Sequence, residues 1–159
     1  MAETKTPERV TRVLYVDEND VCTAQMAAAF ANSIAQEQNL DVVFSTAGIF
    51  AVEHTITDEL AVRAMKELYD VDLPVKHSRP LTPEVFNENQ RVRTTLYRLN
   101  AFVSDKAHRW PNSGNFNIVC PVGKDYDAYV ACAKKLYQDV ATHVETLVKD
   151  GNVLRKGSD

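Results

Sequence analysis

Three carboxylates stand within four residues at Asp17, Glu18 and Asp20, directly after the apolar run Val13-Leu14-Tyr15-Val16. Asn19, Val21, Cys22 and Thr23 complete the segment. Residues of these types so placed can do one of three things. They can hold a cation with Asp17 as a phosphoryl acceptor and Asp20 or Glu18 as metal ligand. Cys22 can pair with a distant thiol for redox work. Or the side chains can simply accept hydrogen bonds from their own loop amides. The cysteines, Cys22, Cys120 and Cys132, are odd in number and widely spaced, so neither a disulfide scaffold nor a Cys/His zinc cluster is expected. The four histidines are scattered. No cofactor and no bound metal is expected.

These residues need a scaffold, and the hydropathy pattern supplies one. Residues 10–16 read as a strand rich in β-branched side chains. Cys22, Met26, Phe30 and Ile34 recur every four residues and predict a helix straight after the acidic loop. A second strand is expected over 40–45, closed by Thr46-Ala47-Gly48. Thr57 reads as the N-cap of a helix reaching Tyr69, with Leu60, Ala61, Ala64, Met65 and Leu68 on one face. Short strands are expected at 75–78 and 99–103, with a short apolar piece at 117–119. Thr82-Pro83-Glu84 opens a polar, exposed helix. A long helix is expected over 125–149, striped by Tyr126, Val130, Ala133, Leu136 or Tyr137, Val140, Val144 and Leu147, and stopped by Gly151.

Alternating strands and helices predict an α/β three-layer sandwich: a four-stranded parallel sheet with helices on both faces. One domain is expected over residues 10–150, with flexible tails at 1–9 and 151–159. In such sheets ligands bind beyond the carboxyl ends of the strands, which is where Asp17–Cys22 lies. The chain has 159 residues and a formal net charge of −4. That mild acidity disfavours nucleic-acid and anionic-membrane partners. The opening residues lack the apolar region of a leader, so the expected location is cytoplasmic.

The segment from Val13 to Ala27 resembles the signature of low-molecular-weight protein tyrosine phosphatases and their relatives, the thioredoxin-coupled arsenate reductases. Further similarity follows in order. It runs through Ser45-Thr46-Ala47-Gly48-Ile49, Ala61–Glu67 with Val71-Asp72-Leu73, His77-Ser78-Arg79-Pro80-Leu81-Thr82 and Pro121-Val122-Gly123-Lys124-Asp125-Tyr126. The resemblance implies the same fold. It also implies where chemistry should sit, and there this chain departs from the pattern. The nucleophilic Cys falls on Asp17, the oxyanion-gripping Arg on Thr23, and the proton-donating Asp on Cys120. The loop Gly and Asn fall on Asn19 and Asp20, and only the second loop cysteine is kept, as Cys22.

A carboxylate is a far poorer nucleophile here than a thiolate. A lost Arg removes bidentate binding of the equatorial oxygens. A lost acid costs typically ~10²–10⁴-fold in rate. Two carboxylates ~4 Å apart repel by about 1 kcal/mol even in water, and a phosphate entering this loop would meet that field. The expectation is a catalytically silent binding or regulatory pseudoenzyme, with a protein partner or small ligand at the loop Asp17, Glu18, Asn19, Asp20, Val21, Cys22, Thr23. The competing expectations are an enzyme with altered chemistry (an Asp17/metal phosphatase or a Cys22/Cys120 redox pair) and a phosphatase or arsenate reductase by family label only.

Overall fold

The computed structural model describes residues 10–52, 54–94, 118 and 120–157. Strand β1 (Thr11–Asp17) is the centre of a parallel sheet ordered β2-β1-β3, with β2 (Val42–Gly48) and β3 (Arg91–Thr94) beside it. Register runs from Thr11↔Val42 to Asp17↔Gly48 on one side and from Val13↔Arg91 to Val16↔Thr94 on the other. Helix α1 (Thr23–Glu37) follows the acidic loop, α2 (Glu59–Tyr69) and α3 (Pro83–Asn87) follow β2, and α4 (Tyr126–Lys149) closes the chain.

A central strand covered on both faces should be apolar throughout, and Val13, Leu14, Tyr15 and Val16 are all wholly buried. Alternation sorts them. Val13 and Tyr15 join the core built with Met26, Phe30, Leu136 and Val140 of α1 and α4. Leu14 and Val16 point the other way, onto Leu81, Phe86 and Val92. Small residues (Ala24, Ala27, Ala31) line the buried side of α1. Layers therefore lie on both faces of the sheet, as the sequence predicts. Tyr15 carries a polar tip inward, where its hydroxyl lies 2.9 Å from His143 Nδ1 of α4.

Several elements differ from expectation. Among the described residues the sheet has three strands rather than four; the strand expected at 99–103 lies outside them, as does most of the piece at 117–119. Residues 75–78 make only an isolated bridge, Ile56↔His77, because Pro74 and Pro80 on either side lack the N–H a ladder needs. The helix opened by Thr82 is five residues long and buries Phe86, and the chain then enters β3, whose Val92 and Thr94 turn inward between Arg91 and Arg93. Asp58, not Thr57, caps α2, accepting from the Leu60 N–H. On that helix Leu68 is exposed. On α4 the buried side includes Tyr129, Cys132 and His143, while Tyr126 and Val130 are only half-buried and Tyr137 is exposed.

Residues 152–156 do not hang free. Val153 is buried, Leu40 and Arg155 form an antiparallel bridge, and the Thr11 hydroxyl donates to the Asn152 carbonyl. Gly151 itself has φ +79, the left-handed turn that ends α4. Among the described residues no helix is long and apolar enough to cross a membrane.

Candidate functional site

β1 delivers Asp17 to the carboxyl end of the sheet, and the next seven residues wrap round its side chain. The carboxylate is almost wholly buried. Its Oδ1 accepts from the Asp20 N–H at 2.7 Å. Its Oδ2 accepts from the Thr23 hydroxyl and the Ala24 N–H, both at 2.9 Å. The residue at the N-cap position of α1, Cys22, makes no side-chain capping bond. Asp17 does that work from outside the helix, satisfying a first-turn N–H and meeting the positive end of the dipole. Burial pushes the Asp17 carboxyl above its usual range, opposed by the three donors and reinforced by the Asp20 charge.

Asp20 faces the other way. It takes the left-handed conformation (φ 53), where the Asx side chains are among the better tolerated. Its carbonyl accepts from Gln25 Nε2 at 2.7 Å and from the Ser78 hydroxyl at 2.9 Å. Its Oδ2 accepts from the Arg79 N–H at 2.8 Å and lies 3.8 Å from Lys76 Nζ. Its Oδ1 is buried and has no hydrogen-bond partner among the described residues. Glu18 and Asn19 are exposed at the tip of the loop.

The loop rests on its neighbours through the backbone. Ile49 N–H donates to the Asp17 carbonyl, Phe50 N–H to that of Glu18, and Asp58 N–H to that of Val21. Gly48 is required by this contact: a Cβ there would stand 2.7 Å from the Asp20 nitrogen and 2.8 Å from the Glu18 oxygen. Gln25 bridges loop and α2 entry, donating to Asp20 and accepting from the Thr57 hydroxyl at 2.6 Å. Gln25, Thr57, Ser78 and Lys76 are thus part of the site although chemistry-first reading of the sequence passes over them. The signal available was the position of Gln25 and of His77-Ser78-Arg79 within the segments that carry the family resemblance.

The thiols are free. Cys22 is buried with its Sγ 3.7 Å from Met26 Sδ, and burial pushes its thiol far up. Cys132 is buried on α4, its thiol pushed up to about 12 by burial. Cys120 is exposed and close enough to the loop for the charges of Asp17 and Glu18 to raise its thiol further, after desolvation. None of these is a ready thiolate. Among the described residues no group of three or more His, Cys, Asp or Glu could hold a metal ion.

An anion cradle at a helix N-terminus works because its N–H groups are unengaged. Here the Asp20 and Ala24 amides are already committed to Asp17, and Thr23, with no guanidinium to offer, spends its hydroxyl on the same carboxylate.

This geometry belongs to a known scaffold. The chain has the fold of low-molecular-weight protein tyrosine phosphatases. It is similar to a solution structure of such a phosphatase from Bacillus subtilis, with 22% identity, coverage of 88% of this chain and 99% of that one, and a TM-score of 0.75. It is similar to the arginine phosphatase YwlE, in a cysteine-to-serine mutant with a phosphorylated active-site serine, at 23% identity, 88% and 97% coverage and a TM-score of 0.76. The tyrosine phosphatase Wzb from Escherichia coli K30, in complex with sulphate, matches at 17% identity, 87% and 99% coverage and a TM-score of 0.70. No family model and no curated protein matches the sequence.

Proposed function

We propose that this protein is a catalytically silent relative of the low-molecular-weight phosphatases and arsenate reductases, acting in the cytoplasm as a binding or regulatory pseudoenzyme. One observation carries the reading: the side chain at the position the resemblance gives to the nucleophile is a buried carboxylate bonded to the loop's own amides. The sulphate in the Wzb complex and the phosphoserine in the YwlE mutant show what this fold holds in those proteins. In this chain an internal anion already takes two of the amides and a hydroxyl around the loop. An Asp17 phospho-acceptor is disfavoured because both its oxygens are engaged and buried. A Cys22 nucleophile is disfavoured by its burial against Met26.

The partner surface is the rim of the loop. Glu18 and Asn19 are exposed there, and the Phe50 N–H is bonded to Glu18 while the Phe50 ring stands largely in solvent. Val52 and Ile56 add further exposed apolar area. An acidic tip beside an apolar patch suits a protein partner with a basic, apolar face, and suits neither nucleic acid nor a membrane surface.

The test is an assay pair, p-nitrophenyl phosphate hydrolysis and thioredoxin-coupled arsenate reduction, each with and without Mg²⁺. No turnover is expected. Turnover abolished by Asp17→Ala would overturn the silent reading, and turnover lost in Cys22→Ser would replace it with thiol chemistry. A pull-down with Glu18→Lys and Phe50→Ala should lose the partner; an unchanged partner set would exclude the rim.

A further inference from the structure

A second concavity lies on the free edge of β2, outside the Asp17 carboxylate nest. It has a volume of about 470 Å³ and is walled by α1, by β2 and by residues 73–79. Its apolar surface comes from Ala28, Ala29, Phe44, Leu73 and Pro74. Lys76 and Arg79 line it, and among the described residues no Asp or Glu does. In a chain of net charge −4, a cavity lined by cations without a carboxylate is selective by construction.

The edge of β2 supplies the geometry. In a parallel ladder alternate residues turn both backbone groups outward. At Phe44 both are taken by the side chain of Asn32. At Gly48 they are taken by the backbone of Arg79 and Leu81. Thr46 lies between them. Its carbonyl accepts from Arg79 Nε at 3.1 Å, and its outward N–H has no protein acceptor among the described residues. Lys76 Nζ stands beside it, 2.9 Å from Thr46 Oγ1. Lys76 has three donors and Arg79 five, so both keep donors for a ligand.

The geometry points to a binding site for a small carboxylic acid with an apolar or aromatic body. The carboxylate meets the Thr46 N–H, the Lys76 ammonium and the Arg79 guanidinium, and the body lies on Phe44, Leu73 and the alanines of α1. A monoanion fits better than a phosphate dianion. Lys76 is already partly neutralised by Asp20, 3.8 Å away, and Arg79 by Glu88, also 3.8 Å away. The volume falls in the range of small-molecule sites. The site stands independently of whether the loop at Asp17 is silent.

The experiment is an amide NMR titration of the full chain with phenylacetate as probe. Saturable shifts are expected at Thr46, Lys76 and Arg79, with a dissociation constant of about 1 mM or tighter. Neutral phenylacetamide should bind at least about tenfold more weakly, and so should phenylacetate to Lys76→Gln. Ala29→Phe should fill the cavity and abolish the shifts while the spectrum stays dispersed, which separates lost binding from lost folding. The site is overturned by any of four results: no saturation at about 20 mM probe, equal binding of the amide, shifts centred on residues 17–24, or unchanged binding in Ala29→Phe. Tighter binding of phenyl phosphate than of phenylacetate would overturn the monoanion selectivity.

Discussion

The β1–α1 loop and the cavity on the β2 edge are built from the same parts and reach opposite states. Each offers backbone N–H donors at the border of a parallel sheet, and each sits against the N-terminal half of α1. The loop has a carboxylate inside it: Asp17 takes the Asp20 and Ala24 amides and the Thr23 hydroxyl. Among the described residues the cavity has no carboxylate, and two cations instead. The comparison teaches that backbone amides around the sheet become a ligand site or a structural cap according to whether a counter-anion is covalently present. Asp17 is tethered at β1, so it occupies its donors at an effective concentration no free anion matches.

The largest effect should follow from removing that tethered anion. Asp17→Ala leaves two buried amides and a hydroxyl without their acceptor and uncaps α1, so a loss of roughly 3–4 kcal/mol is expected in chemical denaturation. The same variant should gain measurable phosphate affinity by calorimetry, since the amides are released. A stability loss below about 1 kcal/mol would show that the carboxylate is not the keystone of the loop. Gly48→Ala comes next. The added Cβ meets loop backbone at 2.7–2.8 Å, which no rotamer can relieve. A loss of about 2 kcal/mol is expected, and the cavity's binding of phenylacetate should change less than the loop's stability. If both fall together, the loop and the β2 edge are one unit.

Much of this contrast was legible in the sequence, and the limits are physical. The apolar run ending in Asp17 and the four-residue period of α1 fix the strand–loop–helix unit by local patterning alone. The loop carboxylates as acceptors for their own amides were among the readings open from composition, because Asx side chains favour such bonds. The division of labour between Asp17 and Asp20 was not legible, since it depends on which carboxylate points at α1 and which at residues 76–79. β3 was hidden because Arg91-Val92-Arg93-Thr94 has only one apolar side chain; its place beside β1 is tertiary. The 75–78 strand failed on its flanking prolines. The cavity was invisible, because Ala29, Phe44 and Lys76 meet only in three dimensions.

Acid should distinguish the loop from the core beneath it. Burial, with help from the Arg93 charge, lowers His143 to about 3. The unfolded chain then takes up the proton first, so this group's stability is complete above about pH 6.5 and is lost towards pH 3, at ~1.4 kcal/mol per pH unit. Asp17 has the opposite sign. Its raised carboxyl is protonated in the folded state before the unfolded one, so acidification favours the native loop. His143→Gln, which keeps a partner for the Tyr15 hydroxyl, should flatten the stability–pH curve between pH 4 and 6 by about one proton. An unchanged slope would mean that His143 is charged in the native core.

The smallest effect belongs to Asp20 and is a gain. Its Oδ1 is buried without a partner among the described residues, and its charge raises the Asp17 carboxyl across the loop. Asp20→Asn keeps an acceptor for the Arg79 N–H and tolerates the same left-handed backbone. It removes the repulsion on Asp17 and gives up only a 3.8 Å contact to a half-exposed Lys76. Stability at pH 7 should rise by about 1 kcal/mol, and the Asp17 carboxyl should titrate lower, which carbon-detected NMR can follow. The variant also uncouples the two regions. Lys76 loses the carboxylate that partly neutralises it, so phenylacetate should bind the cavity more tightly while the loop becomes more rigid. A tighter loop with unchanged cavity affinity would show that the two sites share α1 and β2 but no charge.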